Sequence, residues 1–189
     1  MAQGSRNPTG ILMDEHRVIE RGIAVLREAA SLLEAGKNVP EEVFAGLIDF
    51  IRYFADACHH AKEEGVLFTT MHAHGFPSQG GAIAVMLAEH DQGRAFVRGM
   101  LAGLDKYQAG DSSGKDDIVA NARGYADLLT QHIQKEDNVL YPMADRVLGT
   151  ADQEAMLNRF DEVEALHPED HEKYHALIHQ LEDRIATCR

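Results

Sequence analysis

Two closely similar motifs of ten residues place a glutamate four residues after a histidine. The first, HHAKEEGVLF, begins at His59, and the second, HIQKEDNVLY, begins at His132. Residues four apart on a helix lie on one face, one turn from each other, so His59 and Glu63 can direct an imidazole nitrogen and a carboxylate oxygen at one ion. His132 and Glu136 repeat this arrangement. The chemistry that the spacing indicates is metal coordination.

A second repeat supplies one histidine on each of two further segments. Glu15 with His16 and Glu89 with His90 lie 74 residues apart, while the two motifs lie 73 residues apart. Matched spacing of this kind predicts two similar helix pairs that face each other about a pseudo-twofold axis. Four imidazoles and two carboxylates would then surround one point.

These six side chains fall on the apolar faces of their segments, where a polar group requires an explanation. An ionised glutamate that is buried without a partner costs several kcal/mol, so Glu63 and Glu136 require cations or protonation. The set is large enough for two divalent ions, and its nitrogen and oxygen ligands suit iron, manganese or zinc rather than calcium. The alternative, in which the histidines fill the core of a metal-free bundle, is disfavoured by six polar side chains at matched spacing.

Four long segments must position these residues. Their apolar residues recur at three- and four-residue steps, which is the period of a helix and not of a strand. We predict helices from about residues 8–11 to 35, 40 to 72, 83 to 109 and 115 to 148, with Gly36 and Gly110 ending the first and third. The inward face of the fourth includes Leu129 and Val139, and Pro142 is expected to bend its last turns.

Two shorter helices are predicted after these four. Thr150 opens one of them, with Gln153 completing a capping-box pattern. Pro168 opens the other, which continues through Ile185. We therefore predict an all-α protein: an antiparallel up-down-up-down four-helix bundle over residues 11–148 with additional C-terminal helices over 150–188, all in one domain, residues 1–189.

The composition excludes some functions. The formal net charge of −13 repels nucleic acid and anionic membrane surfaces. No apolar run long enough for a signal peptide or a membrane span appears. Cys58 and Cys188 lie far apart and are typical of reduced thiols, so we expect a cytoplasmic protein.

The two motifs and the two Glu-His dipeptides together resemble the hemerythrin-like, or HHE cation-binding, family over about residues 11–148. The resemblance implies a non-haem di-iron site with both glutamates bridging. Its two irons would also share an oxo or hydroxo bridge, and manganese or zinc is a weaker expectation. The metal ligands that it implies are His16, His59, Glu63, His90, His132 and Glu136.

The chain departs from the oxygen-carrying hemerythrins in two places. Those proteins have a second histidine four residues after the third-helix histidine, where this chain has Arg94. Their fourth helix supplies a bridging aspartate at the position of Asp137, whereas Glu136 here repeats the spacing of Glu63. Four histidines with two glutamates resemble bacterial iron-centre repair proteins more closely, and fewer histidines leave open positions on iron.

The resemblance implies a protein that binds or reacts with a small oxidant, namely O2, peroxide or NO. An oxidoreductase that turns over peroxide or NO is one form of this hypothesis. The alternative is a non-catalytic oxygen or iron sensor or carrier, for which a protein partner is unidentified.

Several other residues carry weaker expectations. Arg94 pairs with an acidic neighbour or, on a sharper hypothesis, orients a bridging glutamate or a bound species. His60 is expected at the boundary of the core, since neighbours on a helix diverge by about 100°. Tyr53 and Tyr125 are expected to pack, His72 and His74 to be exposed, and His171, His175 and His179 to form a polar flank rather than a second metal patch.

Overall fold

The computed structural model describes residues 7–166 and 170–189, and in these ranges every regular element is a helix. The predicted all-α class is confirmed. The expected start of the last helix at Pro168 and the neighbouring His167 lie outside the described residues. No helix in the described ranges is long and apolar enough to cross a membrane.

Six continuous helices follow one another in the described parts of the chain. They are α1 (Pro8–Glu34), α2 (residues 41–73), α3 (Ala82–Gln108), α4 (residues 113–147), α5 (Thr150–Glu164) and α6 (Asp170–Ala186). The predicted bounds of the first four agree with these to within one turn. That the whole chain forms one domain stays a prediction.

Local sequence explains where the first helix begins and ends. The side chain of Asn7 accepts a hydrogen bond from the backbone N–H of Gly10 at 3.1 Å, and Pro8 fills the first turn. Gly36 follows the helix at φ +78°, a left-handed conformation that glycine adopts without strain. Gly110 ends α3 in the same way at φ +83°, so both predicted stops are confirmed.

The cap of α5 differs from the predicted one. Gly149, not Thr150, is the N-cap residue, and the Asp152 carboxylate accepts from its N–H at 3.0 Å. The Gln153 amide instead donates to the Leu148 carbonyl oxygen at 3.2 Å. The capping-box prediction is therefore wrong by one residue, because the carboxylate at 152 is the better acceptor for the free N–H.

Three π-helical segments interrupt the long helices close to the histidine motifs. In α2 they are Ile51–His60 and Glu63–Leu67, and in α4 there is Glu136–Leu140. The wider turn changes which residues face inward. Val139 was expected on the inward face, but it is 52% exposed, whereas Leu140 and Tyr141 are buried. The expectation was wrong because a π-helical turn shifts the register that a regular α-helix would keep.

The apolar core consists of two clusters. The predicted metal ligands lie between these clusters on each of the four long helices. The larger cluster includes Leu26, Phe44, Met100 and Leu129, and α6 adds Ile178 to it. The smaller cluster is formed by residues such as Leu12, Val66, Leu67, Met86, Leu140 and Phe160. The site histidines therefore sit in an apolar surrounding that keeps water away from them.

Candidate metal centre

Seven ionisable side chains meet between the two apolar clusters. All are buried, and none is more than 4% exposed. Their possible ligand atoms form two groups, and within each group these atoms lie within 4.8 Å of one another. The groups are His16, His59, Glu63 and Glu136, and His60, Glu63, His90 and His132. The structure thus brings together the six predicted residues and adds His60.

The two glutamates lie between the groups. Glu63 Oε2 is 3.7 Å from His59 Nε2 and 3.3 Å from His90 Nε2. Glu136 Oε2 is 3.3 Å from His16 Nε2 and 3.2 Å from His132 Nε2. Each carboxylate therefore contacts one imidazole on either side, which is the arrangement that a bridge between two ions requires.

A carboxylate lies beside the Nδ1 atom of every histidine at the centre. A carboxylate can only accept, so each Nδ1 carries a proton and donates it, and Nε2 is the nitrogen that a metal ion can take once it is unprotonated. Such outer carboxylates fix the orientation and the tautomer of metal-binding histidines. The pairs are His16 with Asp137 at 2.6 Å, His59 with Glu15 at 2.9 Å, His60 with Asp56 at 3.2 Å, His90 with Glu64 at 2.7 Å and His132 with Glu89 at 2.9 Å.

These partners explain the Glu-His dipeptides. Glu15 precedes His16 in the chain but binds His59 on another helix, and Glu89 likewise binds His132 rather than its neighbour His90. Sequence reasoning identified the dipeptides by their spacing but did not assign the glutamates. The sequence signal for these glutamates was that each directly precedes an inward histidine.

A cation stands behind each of these outer carboxylates. Lys62, which is fully buried, binds Glu15, and it also donates to Glu164 at 2.8 Å. The other pairs are Lys135 with Glu89, Arg17 with Asp137, and Arg94 with both Asp56 at 2.7 Å and Glu64 at 2.8 Å. Each outer carboxylate therefore has a cationic partner, although five carboxylates share four cations because Arg94 serves both Asp56 and Glu64.

Arg94 pairs with acidic neighbours, as one of its two expected roles required. Its guanidinium contacts Asp56, Glu64 and Asp91, of which Glu64 binds His90. No contact between Arg94 and Glu63 or Glu136 appears in the described structure. Arg94 therefore acts on the histidines through their carboxylate partners.

Buried atoms without a hydrogen bond concentrate at the centre. Among the described residues they include His59 Nε2, Glu63 Oε2 and both carboxylate oxygens of Glu136. Leaving a buried polar atom unpaired costs about 1–3 kcal/mol, so four of them at one point require an additional partner. Imidazole nitrogens and carboxylate oxygens are the donors that divalent transition metals take. The residues present therefore fit a metal centre.

Electrostatics lead to the same conclusion. Burial lowers the pKa of His16, but its hydrogen bond to Asp137 and the nearby negative charge of Glu136 outweigh this effect and raise the pKa to about 9. His90 behaves alike: burial opposes the charge, yet Glu63 and Glu64 raise its pKa to about 9. Burial also raises the pKa of Glu63, but His59 and His90 outweigh it and hold this pKa well below its ordinary value. The carboxylates thus attract positive charge, which bound metal ions can supply in place of imidazole protons.

His60 is the residue that sequence reasoning placed wrongly. It is 4% exposed and not at a boundary, and its ring stacks on that of His90 with the centroids 3.8 Å apart. Both histidines of the dipeptide face the centre, and they lie at the end of the π-helical segment, where the rotation per residue is smaller than the 100° of an α-helix. Burial and the charge of His90 lower the pKa of His60 to about 3, so its imidazole is neutral.

Tyr141 is a further residue that the sequence did not single out. Its buried hydroxyl donates to Glu63 Oε1 at 2.5 Å and lies 3.3 Å from His16 Nε2. The corresponding last residue of the first motif is Phe68, whose ring stacks on His90. The two halves of the centre are therefore not equivalent, because only one has a hydroxyl.

The remaining candidates lie elsewhere. Tyr53 is 37% exposed and Tyr125 is buried, while His72 and His74 are exposed as expected. His171 and His175 have ring centroids 4.6 Å apart, and His179 contacts Arg21 at 3.0 Å. None of these three α6 histidines joins a metal-binding group in the ranges described.

Comparisons with known proteins add one family and a few relatives. Residues 7–144 match the family model of the hemerythrin HHE cation binding domain. Uncharacterized proteins of Mycobacterium bovis and of Mycobacterium tuberculosis are 25% identical over 153 residues, which cover 81% of this chain and 59% of each relative. The chain thus spans less than two thirds of the length of the curated relatives that it matches.

Proposed function

Since the chain belongs to the hemerythrin HHE cation binding domain family, we propose that its buried histidines and glutamates hold two iron ions, which bind or react with O2, peroxide or NO. The observation that carries this proposal is the set of unpaired ligand atoms on Glu63, Glu136 and His59. When bound, the irons supply redox chemistry and an open position for the oxidant. The protein supplies the ligands, a dry surrounding and fixed protons.

The two groups of side chains assign a ligand set to each ion. In this proposal His16 and His59 would hold one ion, His90 and His132 the other, and the two glutamates would bridge them. Glu63 is common to both groups, and Glu136 Oε2 lies 3.2 Å from His132 Nε2 in the second. We add His60 to the second set. It would replace the histidine that the oxygen-carrying hemerythrins have at the position of Arg94. Support comes from its short distance to the other ligands and from its own Nδ1 partner Asp56.

Tyr141 has a separate part in this proposal. Its hydroxyl donates a hydrogen bond to Glu63 Oε1, on the His16 side of the centre. Burial and the neighbouring charges of Glu136 and Glu63 keep the pKa of Tyr141 well above its ordinary value, so the phenol stays protonated. It is thus a fixed proton donor at a place where water is excluded.

We also propose that the first four helices form an up-down-up-down bundle and that the chain is a single domain. Along α1 and α3 the smaller apolar cluster precedes the larger one, whereas along α2 and α4 the order is reversed. That alternation is what four antiparallel helices around a shared centre produce.

The first test is metal analysis of the protein purified without added metal. We expect about two irons per chain, because the resemblance to the family implies a di-iron site and the donors fit it. His16→Gln and His132→Gln should each lower the iron content, whereas His179→Gln, on an exposed part of α6, should leave it unchanged. Wild-type protein that is folded and free of transition metal would contradict the proposal.

His60→Gln separates the five-histidine set from the four-histidine set. We expect the iron to leave the variant at least ten times faster when a chelator is added, since one ligand of the second ion is lost. His72→Gln is the control, because His72 is an exposed histidine on the same helix. Equal rates of iron loss from both variants would remove His60 from the ligand set.

The form of the activity is tested on reduced, anaerobic protein. Optical spectra are recorded as O2, peroxide and NO are added one at a time. Turnover of peroxide or NO supports an oxidoreductase, and reversible bands with O2 support the alternative of a carrier or sensor. Absence of any spectral response to all three would contradict both forms.

A further inference from the structure

A cavity of about 320 Å³ lies between α2, α3 and α4, and it meets the centre at His60. The inner wall includes His60, and Arg52 and Arg98 line the cavity as well. Both arginines are exposed. Between these polar groups the wall is apolar, formed by residues such as Ile51, Val97 and Leu101.

The size of this cavity exceeds what a small oxidant requires. One water molecule takes a share of about 30 Å³ in the liquid, and a diatomic gas or peroxide is of similar size. Cavities of roughly 300–1,000 Å³ are typical of sites for organic molecules. An occupant that fills this space therefore has a body of several carbon atoms.

The charges at the cavity select an anion. For Arg52 and Arg98 no ion pair is seen within the described ranges, while Asp56, the acidic residue in the wall, is already bound to Arg94 and His60. The pKa of Asp56 is lowered because these two hydrogen bonds outweigh the effect of burial, so its charge is matched by its partners. A chain with a net charge of −13 thus has two unmatched arginines at one apolar cavity.

Tyr125 supplies a further polar atom. It lines the cavity, it is 2% exposed, and its hydroxyl lacks a hydrogen-bond partner among the described residues. Burial and the charge of Asp56 raise its pKa, so the group is a neutral hydroxyl that can donate. An unpaired buried hydroxyl costs about 1–3 kcal/mol, and an acceptor on a bound molecule would remove that cost.

We propose that this cavity binds a small organic carboxylate, with its charged group near Arg52 and Arg98 and its apolar body against Val97 and Tyr125. The inference goes beyond the proposed function and does not rest on it. His60 is the one proposed ligand among the residues that line the cavity, and the contacts proposed for the carboxylate are made by other residues. A bare inorganic anion would leave the apolar wall unused, and an uncharged molecule would leave both arginines without a counter-charge.

The test is a calorimetric titration of octanoate into the full-length protein as purified, at 0.15 M chloride. A ligand of this size that uses the cavity should bind with a Kd of about 1 mM or lower. Octan-1-ol, which has the same body without the charge, should bind at least five times more weakly. Inorganic phosphate should not compete at equal concentration.

Arginine variants test the charged group. Arg52→Gln with Arg98→Gln should raise the Kd for octanoate about tenfold. The control is Arg146→Gln with Arg184→Gln, which removes the same charge from two exposed arginines outside the cavity wall. Equal affinity of the two double variants would overturn the proposal, as would octanoate that does not bind or phosphate that displaces it.

Gly93→Ala tests the cavity itself without disturbing the fold. A Cβ at Gly93 would lie 3.6 Å from both Leu129 Cδ2 and Tyr125 Cε2, which is ordinary van der Waals contact. The helix should accept the methyl group, which narrows the space beside Tyr125. We expect a Kd several times higher with an unchanged circular dichroism spectrum, and unchanged affinity would place octanoate elsewhere.

Discussion

At the scale of the residue, the two halves of the centre differ most in the burial of their outer ion pairs. Lys62 is fully buried beside Glu15, whereas Lys135 is 41% exposed beside Glu89. Both glutamates accept from a histidine Nδ1, and the two pairs differ in the access of water and in the second carboxylate, Glu164, that Lys62 also binds. Water screens the exposed pair, whereas a charge left alone in the buried pair is not solvated, so breaking the buried pair should cost more stability.

Glu15→Gln and Glu89→Gln form a matched test of this difference. Glu15→Gln removes the charge of the buried partner of Lys62, leaves the 45% exposed Glu164 as its carboxylate partner among the described residues and should lower the free energy of unfolding by about 3 kcal/mol. Glu89→Gln should cost about 1 kcal/mol or less, because Lys135 can turn to solvent. Urea unfolding of the chelator-treated proteins measures both, and equal losses would contradict the argument.

Tyr141→Phe tests the only hydroxyl that contacts Glu63 in the described structure. The variant leaves Glu63 Oε1 buried without its donor and should lower the free energy of unfolding of chelator-treated protein by about 1–3 kcal/mol. Tyr53→Phe is the control, since Tyr53 is 37% exposed, and it should stay within about 0.5 kcal/mol of the wild type. Thermal unfolding followed by circular dichroism makes the comparison, and a stable Tyr141→Phe would show that Glu63 does not need this donor.

The sequence was sufficient to find side chains that repeat at fixed spacing, and the six predicted residues do gather at one place. It was not sufficient for contacts between helices. The bond between His16 and Asp137 joins residues 121 positions apart, and that between Tyr141 and Glu63 joins residues 78 positions apart. Such pairs depend on how far each helix is rotated about its axis, and no local pattern specifies that rotation.

At the scale of the element, the π-helical segments decide which residues serve the centre. They end at His60, span Glu63 to Leu67 and span Glu136 to Leu140, so each adjoins or contains a proposed ligand. Segments of this kind often occur at functional sites because they reorient side chains within an otherwise regular helix. The apolar period of the sequence predicted where the helices begin and end. It did not predict these local changes, since a regular period assumes one rotation per residue throughout.

Two alanine variants in α4 test the register of this segment. Leu140→Ala should lower the free energy of unfolding by about 2–5 kcal/mol, because the leucine is 2% exposed in the smaller apolar cluster. Val139→Ala should change it by less than about 0.5 kcal/mol, because the valine is 52% exposed. Urea unfolding measures both variants, and a loss for Val139→Ala as large as that for Leu140→Ala would contradict the observed register.

At the scale of the whole molecule, α6 extends the core beyond the region that matches the family model. Ile178 is fully buried among residues of α1 and α2, and the Tyr174 hydroxyl donates to Asp49 at 2.9 Å. A Cβ at Gly22 on α1 would lie 3.4 Å from Ile178 Cδ1 and 2.5 Å from the Phe50 ring, so a glycine is required where these helices approach. The sequence predicted the helix but not its neighbours, because its apolar stripe does not specify which face it covers.

A polar contact between α1 and α6 makes the docking of this last helix sensitive to pH. Arg21 donates to both carboxylate oxygens of Glu182, at 2.8 and 2.7 Å, and these hydrogen bonds lower the pKa of Glu182. A carboxyl whose pKa is lower in the folded state stabilises the fold at neutral pH, and this contribution is lost as the pH falls through the folded pKa.

Glu182→Gln should therefore lower the Tm slightly at pH 7, by an amount equivalent to less than about 1 kcal/mol at this partly exposed pair, and the difference should vanish in acid. Glu162→Gln, at an exposed glutamate of α5, should show no such dependence, and a constant difference between Glu182→Gln and the wild type at every pH would rule out the ion pair as its cause.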